Sequence, residues 1–199
     1  MLKPYLYRNL QEAGCDEAGR GCLAGPVVAA AVILPKKYRN PLINDSKKLS
    51  SKTRALLKDE ITSVALAWNV AFVDNNEIDR TNIMRATIKA MHLALDGLSQ
   101  KPEFILVDGN VFYPYRNIKH ETVVHGDSLF MSIASASILA KVFRDEYMMK
   151  IHEEFPVYGW NRNKGYATSY HRDAIIKYGI SPYHRKSFNL FERQLKIDF

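Results

Sequence analysis

The chain has 199 residues, of which 47% are hydrophobic, and it carries a formal net charge of +7. This length and composition predict one substantial globular domain with its own core, and the excess of positive charge favours a polyanionic partner. No apolar run is long enough to span a membrane and no signal peptide is recognisable. We therefore expect a cytoplasmic protein. The two cysteines, Cys15 and Cys22, lack metal-ligand spacing, and we expect them to be reduced.

The first predicted elements surround the hexapeptide Asp16-Glu17-Ala18-Gly19-Arg20-Gly21. Apolar residues on both sides predict a short buried strand, a glycine turn and a returning strand. Clustered acids at a buried strand end are costly unless a cation compensates them, and carboxylate oxygens suit Mg2+ and Mn2+. An arginine between glycines is suited to phosphate. The hexapeptide therefore indicates a metal-binding site next to a phosphate-binding site. A polar hairpin turn with solvated acids is an open alternative.

The elements that follow alternate between apolar strands and amphipathic helices. Strands are predicted at residues 27–34, 64–73, 104–107 and 118–124, and helices at residues 51–62, 82–98, 129–154 and 169–178. Ser50 is the predicted N-cap of the first of these helices, and Asp127 or Ser128 that of the long third one. Residues 74–80 are predicted as a turn and 158–170 as a basic, aromatic loop. No repeat or linker interrupts the chain, which predicts a single domain over residues 1–199 with a helical C-terminal region from about residue 155.

Three acids fall at or just beyond the ends of predicted strands: Asp16, Asp108 and Asp127. This element order predicts a mixed sheet flanked by helices, and ligand sites in open α/β sheets lie outside the carboxyl ends of the strands. The three acids can therefore converge with Glu17 into a metal site. The alternative is that each acid is a separate turn residue, because Asp-Gly and Gly-Asp pairs suit turns.

Asp16 and Glu17 impose a geometric condition on such a site. Adjacent residues on a regular strand point to opposite faces of the sheet. We therefore expect the two acids to share a metal only if the chain leaves the pleat between them, near Gly19 and Gly21.

Seven motifs stand in one order along almost the whole chain, and this ordered set resembles the ribonuclease HII family, the type 2 ribonucleases H. The motifs are Asp16-Glu17-Ala18-Gly19-Arg20-Gly21, Asp45-Ser46-Lys47-Lys48-Leu49, Val107-Asp108-Gly109, Gly126-Asp127-Ser128, Ala136-Ser137-Ile138-Leu139-Ala140-Lys141, Asn163-Lys164-Gly165-Tyr166 and His184-Arg185-Lys186-Ser187-Phe188. The resemblance implies a ribonuclease H-like α/β fold, with a mixed five-stranded sheet flanked by helices and a helical C-terminal extension.

The resemblance also implies an activity. The expected enzyme is an endonuclease that hydrolyses the RNA strand of RNA–DNA hybrids. It also cuts 5′ of single ribonucleotides embedded in duplex DNA, with Mn2+ or Mg2+ as cofactor. Two metal ions would serve the phosphodiester hydrolysis, which would give 5′-phosphate and 3′-hydroxyl ends.

Carried over residue by residue, the resemblance implies three groups of site residues. The metal-binding carboxylates are Asp16, Glu17, Asp108 and Asp127. The turn of Gly19, Arg20 and Gly21 would contact the ribose 2′-hydroxyl and its phosphate, and Tyr166 would pack on the sugar at the RNA-to-DNA step. Phosphates would be held by six other polar or basic motif residues, which are Lys47, Lys48, Lys164, His184, Arg185 and Ser187.

Two competing interpretations stay open at this point. Ribonuclease HIII resembles the same motif set, but Arg20 in the glycine turn and a first strand close to Met1 argue against it. A catalytically silent nucleic-acid-binding module on the same fold would have lost a carboxylate, and none is lost.

The C-terminus carries a further signal. The tail from Gln194 to Phe199 resembles peptides that bind bacterial sliding clamps. Apart from such a partner, we expect the protein to be a monomer. The alternative for this tail is packing on the enzyme's own core.

Overall fold

The computed structural model describes residues 2–191, apart from the side chain of Lys48. Five strands form one mixed sheet in the order β3-β2-β1-β4-β5. Their bounds are β1 Glu12–Ala18, β2 Val27–Ile33, β3 Ala67–Val73, β4 Phe104–Asp108 and β5 Lys119–Val123. Strands β1, β2 and β3 pair antiparallel, whereas β4 runs parallel to both β1 and β5. The sheet is therefore the mixed five-stranded sheet that the sequence predicts.

Six helices accompany the sheet within the described residues. They are α1 Ser51–Val64, α2 Asn75–Arg80, α3 Ile83–Asp96, α4 Met131–Glu154, α5 Trp160–Asn163 and α6 Ser169–Tyr178. Short 3-10 turns lie at Ser46–Lys48, Gly126–Ser128 and Pro156–Tyr158. No helix of this part of the chain has the length and apolar composition needed to cross a membrane.

Helices cover both faces of the sheet, which explains why β2 is buried along its whole length. Cys15, Ala29 and Ala31 belong to the core beneath α3, while Ala30 and Val32 belong to the core beneath α4. Helix α4 approaches β1 so closely that a Cβ on Gly14 would lie 2.2 Å from the carbonyl carbon of Ser132. The small residues in the first half of α4 make this contact possible.

Two predictions about the starts of helices are wrong. Residues 75–80 form a helix rather than a turn, because the Asp74 carboxylate caps it by accepting the Glu77 amide at 2.8 Å. Neither Asp127 nor Ser128 caps α4. Helix α4 begins at Met131, whose amide donates to the Lys3 carbonyl at 2.9 Å. Backbone from the N-terminal segment thus replaces a side-chain cap, and Asp127 has no capping role at this helix.

The C-terminal region packs on the outer half of α4 and on the chain just after the glycine turn. Its core combines Met148, Tyr158 and Trp160 with Leu23 and Ala24. The segment predicted as a basic loop therefore contains the short helix α5, and Trp160 is fully buried there. This packing places the C-terminal region against the segment between β1 and β2.

Candidate active site

A cavity of about 200 Å³ lies beyond the carboxyl end of β1. Its lining includes Asp16, Glu17, Asp108 and Tyr166 together with the glycine turn at residues 19–21. Residues from five of the seven motifs, the first, second, third, fifth and sixth, are therefore brought together in one place.

Asp16 and Glu17 reach this cavity without any break in the pleat of β1. Both pair with β2 in regular register, Asp16 with Ala30 and Glu17 with Ala29. β1 therefore makes no departure from the pleat, which is the condition predicted for a shared metal ion, and the sharing of one ion by these two acids stays a prediction. Both side chains still line the cavity, because it lies at the end of the sheet, where side chains from both faces can reach it.

Asp16 is the most strongly perturbed carboxyl group of the site. Its side chain is buried, and burial together with the charges of Glu17 and Asp108 raises its pKa well above the ordinary aspartate value. Hydrogen bonds from Ser137 and the Glu17 amide, the latter at 2.6 Å, act in the opposite direction. Ionisation of Asp16 is therefore disfavoured in the metal-free protein, and a bound cation would offset this cost.

Glu17 shares this environment but has a cationic neighbour. Burial raises its pKa, and the Arg20 guanidinium, 3.2 Å from the Glu17 carboxylate, works against that rise. Arg20 is exposed, so this ion pair can open when a ligand arrives.

Asp108 ends β4, which runs parallel to β1. Its carboxylate accepts the Gly126 amide at 2.7 Å, which ties β4 to the turn that carries Asp127. Asp127 is buried, and its pKa is raised by burial and then by Asp108 and Asp45. Asp16 and Asp127 are both buried, and the charge of Asp108 contributes to the raised pKa of each. These observations favour one shared site over three separate turn residues.

This donor set fits a divalent cation, since hard oxygen ligands suit Mg2+ and Mn2+. Within residues 2–191, however, no three acidic, histidine or cysteine side chains are already close enough to enclose an ion. A metal held here would keep coordination positions open for water or a phosphate oxygen.

The glycine turn presents its backbone to the cavity. Gly19 adopts φ +90°, a conformation that glycine reaches at no steric cost, while Arg20 and Gly21 are exposed. Within the described residues, the amides of Arg20 and Gly21 donate to no protein carbonyl. These two donors are available to a ligand.

Tyr166 and the basic residues stand around the same opening. The Tyr166 ring is 44% exposed, and the Lys141 ammonium lies 5.9 Å from its centroid. Lys47 is exposed and also lines the cavity. Lys164 lies in the loop beside Tyr166, where its ammonium donates to the Asn161 carbonyl at 2.6 Å, and burial lowers its pKa.

Three further polar residues of this cavity received no role from the sequence: Ser46, Ser137 and Lys141. The hydroxyls of Ser46 and Ser137 lie 2.9 Å apart, and Lys141 pairs with Asp145 at 2.6 Å. All three belong to the recognised motifs. The spacing of Ser137 and Lys141, four residues apart on α4, could have placed them on one face.

The expectation that His184 and Arg185 hold phosphates is not supported by their placement, because both side chains are fully buried. The His184 ring accepts the Ser181 amide at 2.8 Å, and Arg185 donates to backbone carbonyls. Ser187 is exposed, but its hydroxyl donates to Asp79 at 2.6 Å. A phosphate would have to displace these internal partners to be bound.

A five-stranded mixed sheet with acids at the ends of β1 and β4 is typical of nucleases of the ribonuclease H-like class. The family model of ribonuclease HII matches residues 13–191. The ribonuclease HII of Bacteroides thetaiotaomicron is 56% identical over the full length of both chains, and that of Christiangramia forsetii is 59% identical over 94% of each. The chain belongs to the ribonuclease HII family.

Solved structures agree with this assignment. Ribonuclease H2 from Pyrococcus horikoshii superposes with a TM-score of 0.75 at 25% identity, covering 91% of this chain and 95% of its own. Ribonuclease HII from Archaeoglobus fulgidus, solved as a PCNA complex, gives 0.76 at 27% identity, covering 94% and 98%. The protein is therefore a metal-dependent endoribonuclease that hydrolyses the RNA strand of RNA–DNA hybrids. The interpretations as ribonuclease HIII and as a silent binding module are set aside.

Proposed function

We propose that this enzyme also cuts duplex DNA on the 5′ side of a single embedded ribonucleotide, leaving 5′-phosphate and 3′-hydroxyl ends. The observation that carries the proposal is that the acid cluster of Asp16, Glu17 and Asp108 shares one cavity with the glycine turn and Tyr166. The same cavity thus offers metal ligands and groups able to recognise one ribose.

The carboxylates Asp16, Glu17, Asp108 and Asp127 would hold the Mn2+ or Mg2+ ions. Burial, together with the charges of neighbouring carboxylates, raises the pKa of Asp16 and of Asp127, and a bound cation would offset this rise. A pair of such ions supplies charge stabilisation to the attacking and leaving oxygens of a phosphodiester. Asp16, Glu17 and Asp108 are the inner ligands in this proposal, and Asp127 is more peripheral.

The chain's own residues would orient the substrate and select it. The 2′-hydroxyl distinguishes RNA from DNA, and the free amides of Arg20 and Gly21 are donors suited to it. The exposed face of Tyr166 would pack on the sugar at the RNA-to-DNA step. The side chain of Tyr166 is 44% exposed at the cavity, with the Lys141 ammonium 5.9 Å from the centre of its ring.

Phosphates on either side of the ribonucleotide would be held by cations around the opening. Arg20 and Lys47 line the cavity, and Lys164 lies in the loop next to Tyr166. Lys48 and Ser187 remain candidates for more distant phosphates. Such contacts position a duplex without reading its sequence.

One assay tests the activity. A duplex with one ribonucleotide is incubated with Mg2+, Mn2+ or EDTA, and the product ends are mapped. We expect one cut 5′ of the ribonucleotide with either metal, none with EDTA, and none in the all-DNA duplex. Cleavage of long hybrids alone would disprove the single-ribonucleotide proposal.

A clamp contact through the tail from Gln194 to Phe199 is a separate proposal. Those residues lie outside the part of the chain that the structure describes. The related protein from Archaeoglobus fulgidus was solved in a PCNA complex, which supports testing the tail. Calorimetric titration of the intact protein and of a variant lacking residues 194–199 with the cognate clamp decides it. Equal heats of binding for the intact protein and the shortened variant would show that the tail does not bind the clamp.

A further inference from the structure

Two arginines, Arg144 and Arg185, are fully buried behind the glycine turn. Their exposed fractions are 1% and 0%, which is unusual for a residue that carries a permanent charge. Within residues 2–191, neither guanidinium takes part in an ion pair. Both side chains bond instead to backbone carbonyls.

Arg185 holds the turn itself. Its guanidinium donates to the carbonyls of Gly19 at 2.7 Å, Arg20 at 2.8 Å and Gly25 at 3.0 Å. Because the carbonyls of Gly19 and Arg20 point inward to this side chain, the opposite side of the turn faces the cavity.

Arg144, from α4, joins the same segment to the loop that carries Tyr166. It donates to the carbonyls of Pro26 at 3.0 Å, Ala24 at 3.1 Å and Lys164 at 2.9 Å. One side chain thus sets the distance between the glycine turn and the tyrosine loop.

Glycines leave the room that this arrangement needs. A Cβ on Gly19 would lie 1.9 Å from Nε of Arg144, and one on Gly165 would lie 2.6 Å from the Ala24 carbonyl oxygen. Both glycines also have positive φ, +90° and +84°. The two glycine positions and Arg144 therefore fit together as one packed unit.

We propose that Arg144 and Arg185 are positioning residues for ribose recognition, holding the glycine turn and the Tyr166 loop in one geometry. This inference rests on the proposed function, since it assumes that the turn and Tyr166 read the ribose. The two arginines act through the backbone they bind and do not touch the substrate.

Their charge has a second consequence. A buried cation without a carboxylate partner is costly, and six carbonyl oxygens offset only part of that cost. Burial lowers the pKa of Arg185 to about 10, so it stays charged at neutral pH. Two positive charges thus lie beneath the turn, where a substrate phosphate would bring the matching negative charge.

The test replaces each arginine by lysine. Arg144→Lys and Arg185→Lys keep the positive charge but lose the planar fork that reaches three carbonyls. We expect kcat/KM on the single-ribonucleotide duplex to fall about a hundredfold, as misplaced recognition groups do. Arg172→Lys is the matched control, because Arg172 also donates to two backbone carbonyls, those of Asn189 and Leu190, away from the cavity. It should keep wild-type activity.

A second readout separates positioning from general loss of structure. Dissociation constants are measured by anisotropy in Ca2+ for two duplexes that differ by a single 2′-hydroxyl. Partial unfolding weakens both affinities equally, whereas a misplaced turn moves their ratio toward one. Folded lysine variants with the wild-type ratio would overturn the inference, as would a wild-type ratio of one.

If a lysine variant fails to fold, the inference can still be tested on the wild-type protein. The buried Nε–H signals of Arg144 and Arg185 should be visible by 15N NMR. We expect both to shift more with the ribonucleotide duplex than with the DNA duplex, and equal shifts would contradict the inference. If wild-type enzyme does not cleave the ribonucleotide duplex, the proposed function itself fails. If the wild-type enzyme cleaves this duplex and the folded lysine variants cleave it equally well, only the positioning role of the two arginines is disproved.

Discussion

Asp16 shows how a single residue can serve function at a cost in stability. Its pKa is raised, so the folded protein binds its proton more tightly than the unfolded chain does. Stability of the metal-free protein is therefore lost as pH rises from the ordinary aspartate range through the raised pKa. An acidic residue that costs stability in the metal-free protein is consistent with a role as a metal ligand.

We predict that Asp16→Asn stabilises the metal-free protein at pH 7.5 and lowers cleavage by more than about a hundredfold, the upper range for supporting residues of metal sites. The amide keeps an oxygen for the Glu17 amide but cannot ionise. Urea unfolding in EDTA and hybrid cleavage in Mg2+ measure the two effects. Asp59→Asn, at an exposed site on α1, is the control for both. Full activity of Asp16→Asn would remove Asp16 from the metal site.

His184 is a second residue with a strongly perturbed proton affinity. Burial and the neighbouring His171 lower its pKa to about 4, from 6.5. The unfolded chain then binds the proton more tightly, so stability is complete above pH 6.5 and is lost as pH falls toward 4. The full effect corresponds to about 3 kcal/mol.

We predict that His184→Asn flattens this acid dependence. An asparagine oxygen can still accept the Ser181 amide, although the contact with His171 is lost. The variant should be less stable at pH 7.5, yet lose less stability between pH 6.5 and 4 than wild type. Urea midpoints across this range provide the comparison, and parallel pH curves for the two proteins would refute the buried, neutral state of His184.

At the scale of elements, the sequence predicts long, strongly patterned segments well. The apolar run of β2 and the apolar stripe of α3 are clear, and the strand-end acids follow from them. Helix α2 has six residues of largely polar composition, too short for a periodic signal. The burial of His184 and Arg185 escapes sequence reasoning for another reason. Basic residues in a predicted loop are expected to be exposed to solvent. His184 and Arg185 are buried only because the C-terminal region packs on residues 19–26.

The tyrosine loop and the glycine turn line the same cavity. Comparing a single-ribonucleotide duplex with long hybrids separates the contribution of Tyr166 from general cleavage activity. We predict that Tyr166→Ala lowers cleavage of the single-ribonucleotide duplex about tenfold or more, in line with the loss of one stacking contact. Long hybrids offer many ribose positions and should be affected less.

Tyr170→Ala is the matched control for this prediction. Tyr170 is 61% exposed at the start of α6, but it lines a different cavity. Gel assays on both substrates give the two ratios. Equal losses on both substrates, or equal behaviour of the two variants, would show that Tyr166 does not recognise the RNA-to-DNA step.

At the scale of the whole molecule, a net charge of +7 coexists with an acidic cavity. The two features suit different parts of one substrate. The positive surface attracts the polyanionic duplex over its whole length, while the carboxylates need a cation before a phosphate can approach. Binding should therefore weaken with monovalent salt even where the metal concentration is saturating.

The salt dependence identifies which cations touch the duplex. Each phosphate contact releases condensed counterions, so loss of one contact should make the slope of log affinity against log salt shallower by about 0.9. We predict this change for Lys47→Gln, Lys48→Gln and Lys164→Gln, measured by anisotropy in Ca2+ between low and physiological salt. Affinities for duplexes of different sequence should fall together, because phosphate contacts carry no base information.

The control for this series is Lys101→Gln. Lys101 is exposed just before β4 begins, at the end of the sheet opposite Asp108. Removing its charge lowers the net charge of the protein as much as any of the other three substitutions, but removes no contact at the cavity. Its slope should match that of wild type. If all four variants change the slope equally, the attraction is a property of the net charge alone, and no duplex path over Lys47 and Lys164 is defined.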